Sequence, residues 1–473
     1  MRFISSATVA LAMACTCASV YAGDTILLTR PVNAVSNGIL APAGTGLFTV
    51  NDHGENLQQI TPFVAGSYYM PSWLAFVNYQ TGVSYWLTKN FSPDGQSVLY
   101  FKNPSADPAD GPYSGKYYVK NLRTGTTQPL FAGSNDNAAP GYGYLARDPA
   151  DGNTIAYTNS TSEYPISPAC VNLMHADGSN QHQLWCAPAT IDLPDYPGWP
   201  LLAVESIRWS GNGKKLMVFA SYEPPPLGLV AKKPPGAALR SMFVRPKPAA
   251  LYKTAATGPV EGNDFSWSAL FVVDVATGTG VKVAANLIDP PASDISYDGT
   301  KVIYQQYDYA QCGDEDQEAL GASLCFNDLT TGTVTDLFPA TVWNNFGDYQ
   351  GWWNNFYYPD WYAEILLSPD GSQAVFTMGA TTGYDEADLF TIRTNATNFR
   401  QLTRNTNPST IPTGWTPVAW SSDGTRILAN RCTAPIAGSK DQTWPCEVHL
   451  VNASDGDDTP VTSGYAVDWH QRP

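Results

Sequence analysis

Phe91-Ser92-Pro93-Asp94-Gly95-Gln96-Ser97-Val98-Leu99-Tyr100 joins a tight turn to an alternating apolar run, and the chain keeps returning to this pattern. Leu367-Ser368-Pro369-Asp370-Gly371-Ser372-Gln373-Ala374-Val375-Phe376 is a second full copy. Degraded copies stand at Ser210-Gly211-Asn212-Gly213, Ser296-Tyr297-Asp298-Gly299 and Ser421-Ser422-Asp423-Gly424. Asp148-Pro149-Ala150-Asp151-Gly152 is a copy one residue longer. The turn has a local physical reason. Pro presets φ at the second position, Asp suits the third, and Gly takes the left-handed conformation that opens a hairpin. Six such turns, each ahead of a strand-like run, mark a repeat architecture.

A second turn interleaves with the first: His53-Gly54, Thr124-Gly125, Asp177-Gly178, Thr277-Gly278, Thr331-Gly332 and Asp455-Gly456, with Asn395-Ala396 in the same slot once. Seven of the second against six of the first fit a unit of four antiparallel strands, A to D. The first motif is then the A–B turn and the second the C–D turn. The absent A–B turn falls where the chain begins and ends. Thr25-Ile26-Leu27-Leu28 reads as strand B of the first unit and Tyr465-Ala466-Val467-Asp468-Trp469 as its strand A. The fold expected is all-β: a seven-bladed β-propeller of four-stranded blades, with six blades as the alternative. Pairing of the N- and C-terminal strands would close the ring and remove its open edges.

These repeats resemble those of the periplasmic protein TolB, in which a Ser-Pro-Asp-Gly turn alternates with a short strand ending Leu-Thr or similar. Asp52-His53-Gly54-Glu55-Asn56-Leu57-Gln58-Gln59-Ile60-Thr61 and Asn398-Phe399-Arg400-Gln401-Leu402-Thr403 carry the likeness, which runs over nearly all of the chain after its N-terminal segment. The resemblance implies fold. It does not select a function, because such repeats occur in transport scaffolds, peptidase gating domains and some polysaccharide lyases. The separate N-terminal α/β domain of TolB has no counterpart, since the repeats begin close to residue 23.

Residues 1–22 read as a secretion signal: Arg2, the apolar stretch Val9 to Met13, and Val20-Tyr21-Ala22 as cleavage site. The apolar run is too short to span a bilayer, and no later segment could. A lipoprotein would use Cys15 or Cys17, after the poorly matching Ala12-Met13-Ala14. Residues 23–473 are expected to be one β-propeller domain, periplasmic or secreted and monomeric. The 473-residue chain carries 42 acidic against 26 basic residues, net −16, which excludes nucleic-acid binding through a basic groove.

Six cysteines remain beyond the signal, and six allow fifteen pairings. The repeat register selects one set. Cys170 and Cys186 flank Gly178 symmetrically in a C–D hairpin, Cys312 and Cys325 bracket a B–C connection, and Cys432 and Cys446 do so two units later. Disulfides suit an exported protein. A thiolate metal cluster would need closer spacing, such as Cys-x-x-Cys.

In this strand order the A–B and C–D turns share one face and the B–C and D–A connections the other. The second face holds nearly all the extra sequence. B–C insertions run from about Tyr222 to Phe265, Cys312 to Ser323 and Thr433 to Pro445, and D–A connections from Pro62 to Asn90, Pro188 to Glu205 and Thr341 to Glu364. Long connections in a compact domain are usually functional or disordered. Two are dense in aromatics: Tyr68, Tyr69, Trp73, Phe76, Tyr79, Tyr85 and Trp86 in one, and Trp343, Trp352, Trp353 and Trp361 among Asn and Tyr residues in the other. Trp343, Trp352, Trp353, Trp361, Tyr68 and Trp73 are the candidate ligand contacts. Aromatic faces with amides suit a sugar ring, and Tyr and Trp equally anchor protein interfaces. The competing reading is a small local core for the loops themselves.

Acidic residues gather nearby: Asp314, Glu315, Asp316 and Glu318; Asp385, Glu386 and Asp388; and Asp348, Asp360 and Glu364. They read as a solvated rim. No cofactor or metal is expected, with a structural calcium ion left open because oxygen-rich loops can hold one. The Tyr222–Phe265 insertion is locally basic, with Lys232, Lys233, Arg240, Arg245, Lys247 and Lys253. Catalytic motifs are sparse. Neither Gly-x-Ser-x-Gly nor His-Glu-x-x-His occurs. His53 and His175 fall at C–D turns, His182 and His449 on outer strands, and only His470 is placed to approach the mouth of the ring. The reading is a non-catalytic exported scaffold that binds a protein or glycan. The alternative is a carbohydrate-active lyase or hydrolase with its site in the funnel, which would need a carboxylate pair, or a Tyr with an Arg, converging there.

Overall fold

The computed structural model describes residues 24–36, 39–62, 67–70, 89–103, 115–130, 145–158, 169–193, 196–222, 267–288, 292–306, 312, 323–337, 364–379, 387–404, 413–433 and 446–471. All of it is strand, turn or irregular backbone. Residues 1–22, read from sequence as a secretion signal, lie outside the described residues.

The first unit opens with β1 (Thr25–Ser36), β2 (Ile39–Asn51) and β3 (Gln58–Gln59), paired in that order. The second holds β4 (Tyr68–Met70), β5 (Ser97–Asn103), β6 (Lys116–Asn121) and β7 (Thr127–Pro129). The third is β8 (Leu145–Arg147), β9 (Thr154–Thr158), β10 (Cys170–His175) and β11 (His182–Cys186). A hairpin of β12 (Thr190–Leu193) with the start of β13 (Tyr196–Trp209) leads into the fourth, where β13 pairs β14 (Lys215–Tyr222), followed by β15 (Trp267–Asp274) and β16 (Thr279–Ile288). The fifth is β17 (Ser293–Ile295), β18 (Lys301–Gln306), β19 (Ser323–Asp328) and β20 (Thr333–Asp336). The sixth is β21 (Ile365–Leu367), β22 (Gln373–Gly379), β23 (Ala387–Arg393) and β24 (Arg400–Gln401). The seventh is β25 (Thr413–Trp420), β26 (Arg426–Thr433), β27 (Cys446–Asn452) and β28 (Asp458–Ser463). The last strand, β29 (Tyr465–His470), returns to the first unit and pairs antiparallel with β1, Ile26 opposite Trp469. The architecture is that of a β-propeller.

Both turn types form as their residues require. In the Ser92 turn the hydroxyl donates to Asp94 Oδ1 (2.6 Å) and accepts from Ser97 N (2.9 Å), while Asp94 Oδ1 also accepts from Gln96 N (2.9 Å). The same set recurs around Ser296, Ser368 and Ser421. Asn212 takes the role of the aspartate beside Ser210. The motif is therefore a self-contained turn with its polar groups satisfied, which explains its repetition without any appeal to function. Hydrogen bonds from Ser421 and from Thr425 pull the Asp423 carboxyl down to about 2. Burial pushes Asp94, Asp298 and Asp370 up, and the same donors outweigh it, so all three lie below the ordinary value.

Apolar side chains fill every seam between consecutive units. Phe219 and Leu270 of the fourth meet Ile295 and Tyr304 of the fifth. Phe326 of the fifth meets Phe376 and Phe390 of the sixth. Leu27 and Leu47 of the first meet Tyr69 and Tyr100 of the second, and Val418, Leu428 and Val448 of the seventh meet Ile26, Leu28 and Trp469 of the first. Middle strands are sandwiched on both faces, so β14 is buried at seven consecutive residues, Leu216 to Tyr222. Alternation of apolar and polar residues is lost there for that reason.

Two expectations are corrected. Pro188 to Glu205 is not a plain loop: it contains β12 and most of β13, with Ile191, Trp199, Leu201 and Leu202 buried. Tyr68 and Tyr69 belong to β4 rather than to a loop, and Tyr69 is buried against Tyr100.

Candidate functional site

The innermost strand of each unit ends at its A–B turn, and the residues just ahead of that turn form a repeating set of inter-unit contacts. The side chain one position before the turn donates to the inner-strand carbonyl two positions before the preceding turn. Trp209 Nε1 donates to Ala146 O (2.9 Å), Trp420 Nε1 to Leu366 O (3.1 Å), and Arg147 Nη1 to Asn90 O (3.4 Å). Carboxylates near the ends of inner strands reach the other way. Asp294 Oδ2 accepts from Leu367 N (2.8 Å) of the sixth unit, and Asp468 Oδ2 accepts from Asn90 N (2.8 Å) and Phe91 N (2.9 Å) of the second.

Charged side chains converge at the fourth, fifth and sixth units. Arg208 Nη1 donates to Asp294 Oδ1 (3.0 Å) and Ser293 O (2.8 Å), and Arg208 Nη2 lies 3.5 Å from Glu364 Oε2. The three side chains are 11–17% exposed. Burial works against the guanidinium charge, and the carboxylates Asp294 and Glu364 more than restore it, so the Arg208 pKa lies above the ordinary arginine value. Burial pulls Arg147 down to about 10 against the opposing field of Asp94, Asp151 and Asp468. Two carboxylates and an arginine do meet on the inner strands, as a funnel enzyme would need. Both Asp294 oxygens, however, carry donors, one of them a backbone N–H of the next unit. The cluster braces three inner strands. Sequence reasoning missed it; the signal available was Arg147, Arg208 with Trp209, Asp294 and Trp420 standing within two residues ahead of four of the six turns.

Acidic residues counted toward a solvated rim are corrected in part. Glu364 is buried beside Arg208. Asp388 lies in β23, 8% exposed, and accepts from Thr403 Oγ1 (3.0 Å) and Gln401 Nε2 (3.0 Å). Asp314, Glu315, Asp316, Glu318, Asp348, Asp360, Asp385 and Glu386, and the basic insertion, lie outside the described residues. So do Trp73, Trp343, Trp352, Trp353 and Trp361. Tyr68 is half-buried in β4, immediately before residues 71–88. His470 does not approach a mouth at the loop-bearing end. Its ring stands 5.7 Å from Phe91 and against Gly95, on the turn side. Among the described residues no group of His, Cys, Asp or Glu is placed to hold a metal ion, and no helix is long and apolar enough to cross a membrane.

The A–B and C–D turns stand at one end of the units; at the other end β5, β9, β14, β18, β22 and β26 finish and β6, β10, β15, β19, β23 and β27 begin. All three disulfides close at that end. Cys170–Cys186 ties β10 to β11, Cys312–Cys325 holds the start of β19, and Cys432–Cys446 links the end of β26 to the start of β27. Beside the last pair lies a described aromatic and charged cluster. His449 Nδ1 is 2.7 Å from Asp458 Oδ2, the His449 ring meets Trp415 edge-on at 5.0 Å, and Arg431 caps Trp415 while pairing with Glu447 at 3.7 Å.

No family model matches the sequence, and no match is found among curated proteins. Among solved structures the chain is similar to an oligogalacturonate lyase in complex with manganese, at TM-score 0.47 and 14% identity over 93% of this chain and 86% of that one. It is similar to an oligogalacturonate lyase from Vibrio parahaemolyticus at TM-score 0.45 and 11% identity, over 93% and 86%. It is similar to TolB from Acinetobacter baumannii at TM-score 0.37 and 11% identity, over 94% and 82%. At such scores and identities these likenesses carry no argument about activity or partner.

Proposed function

We propose that this chain is an exported seven-bladed β-propeller, closed through β1 and β29, that binds a protein or glycan on its loop-bearing face. The observation that carries the binding reading is the commitment of the inner-strand charges. Arg208, Asp294, Glu364 and Asp468 are spent on ties between units, while the strand ends joined by the long insertions and all three disulfides lie at one end. A rigid frame with its sequence variety on one face is a scaffold for recognition. Closure is supported by apolar layers in seven seams, including the one between the seventh unit and the first. Export is supported by the disulfides together with the N-terminal signal pattern.

The test is a glycan-array and pulldown screen on the secreted protein, followed by Trp343→Ala, Trp352→Ala, Trp353→Ala and Trp361→Ala. Loss of binding at an unchanged melting temperature in at least one variant supports a ligand surface. Uniform destabilisation by about 3–5 kcal/mol would make the segment a satellite core and sink the reading. Turnover of a captured oligosaccharide would favour the funnel enzyme instead.

A further inference from the structure

The seam between the fourth and fifth units holds a feature that neither the fold nor the binding reading uses. Its layer is apolar over most of its length, with Met217, Phe219, Leu270, Leu287, Val302 and Tyr304 packed together. Strand alternation fixes which side chains continue it. Met217 and Phe219 of β14 face this seam, so Ser221 does too; Leu270 of β15 faces it, and so does Ser268; Val302 and Tyr304 of β18 face it, and so does Gln306. Ser221 and Ser268 stand directly opposite each other across β14 and β15. All three residues sit at the loop-bearing end of the seam, where β14 and β18 finish and β15 begins.

Ser221 and Ser268 are 0% exposed and Gln306 is 2% exposed. Ser221 Oγ, Ser268 Oγ and Gln306 Nε2 have no hydrogen-bond partner among the described residues. Each such buried group left alone costs about 1–3 kcal/mol, and three in one seam would be an unusual concentration of that cost. We infer that this end of the seam is a closed hydration site holding an ordered water molecule bound by Ser221, Ser268 and Gln306.

The chemistry selects water over other ligands. A buried water typically makes about three hydrogen bonds to groups that would otherwise go unsatisfied. Gln306 Nε2 donates to the water oxygen, and the serine hydroxyls accept its two protons. Ser221, Ser268 and Gln306 are uncharged, so an ion held between them would find no counter-charge among its ligands. The near-zero exposure leaves no way in for a polyol or sugar. The water would pin the two roots of the 223–266 connection, since Ser221 and Ser268 lie just inside its ends.

The test is a high-resolution crystal structure of the full secreted chain grown in bromide, together with urea unfolding of Ser221→Ala, Ser268→Ala and the double variant. The expected density is one sphere between the three side chains with no anomalous signal. Each single substitution is expected to lower the folding equilibrium constant about fivefold or more. The double variant should cost less than the sum, because both hydroxyls share one water. An anomalous bromide peak, a protein side chain in that density, or no density overturns the inference. A rise in stability in either serine variant overturns it as well, since removing a partnerless buried hydroxyl stabilises. Should the variants fail to fold, the density decides alone.

Discussion

Asp468→Ala should weaken the contact between the first unit and the second. The carboxylate is 3% exposed and sits on β29, the strand that completes the first unit. Its Oδ2 accepts from Asn90 N (2.8 Å) and Phe91 N (2.9 Å), and Oδ1 lies 3.2 Å from Lys89 Nζ. Alanine would remove the acceptor of two buried backbone donors, at about 1–3 kcal/mol each, and the partner of the lysine. The expected loss is about 3–5 kcal/mol, the range for breaking a buried charged contact by removing one partner. Asp468→Asn keeps one acceptor oxygen and should cost about half as much, because hydrogen bonds to a charged acceptor are worth roughly twice neutral ones. Lys89→Met is the control. The lysine side chain is 49% exposed, so its removal should cost under about 1 kcal/mol. Urea titrations followed by tryptophan fluorescence would give all three values. If Asp468→Ala costs under about 1 kcal/mol, or Lys89→Met costs as much as Asp468→Ala, the bonds to Asn90 and Phe91 do not tie the first unit to the second.

Gly54 and Gly125 separate backbone strain from contact. Both have positive φ (78° and 73°), but a Cβ on Gly54 would stand 2.3 Å from Val461 O of the seventh unit, whereas one on Gly125 meets nothing within 4 Å. Gly54→Ala should therefore lower the melting temperature clearly more than Gly125→Ala, which carries only the left-handed term of about 1–2 kcal/mol; equal shifts would mean that the first and seventh units do not abut there. Non-reducing peptide mapping should recover Cys170–Cys186, Cys312–Cys325 and Cys432–Cys446, and each closes a loop worth about 3 kcal/mol in the chain-entropy model, so a crossed pairing would contradict the strand register. Acid should weaken the fold through the turn and cap aspartates. Lys215 and the Thr277 N–H hold Asp274 at about 2, and Asp423 is also at about 2, below the unfolded value of about 3.9. Their contribution is complete above the unfolded pKa and is lost as pH falls from about 4 to 2. The stability gap between the parent and Asp423→Asn should close over that window, and a gap independent of pH would refute the assignment.

Much of the frame was legible because its signals are local. Pro93, Asp94 and Gly95 satisfy a turn from within a few residues, so the motif predicts its own geometry wherever it occurs. The same holds for the C–D turns, down to Ala396 at φ 60° in the one copy that lacks glycine. Counting one turn against the other located the chain ends in a shared sheet, and β29 does pair with β1. The cysteine pairs followed from the same register. Glu364 and Asp388 were misplaced because an acidic residue next to a loop looks the same in sequence whether it faces water or a buried donor. In sequence the β12–β13 hairpin resembles a loop because Pro and Gly punctuate it, while Ile191 and Trp199 find their burial against residues distant in the chain.

The sequence by itself determined the repeat, the strand order within each unit, the turn chemistry and the disulfide partners, since each depends on interactions that span one unit or less. Only the tertiary structure decided what the charges on the inner strands do. Arg208, Asp294 and Glu364 are separated by 86 and 70 residues along the chain and belong to three units, yet they meet because the innermost strands are carried side by side. A carboxylate's role is set by the donors brought to it, and those donors are the backbone amides and guanidinium of neighbouring units, which no local pattern encodes.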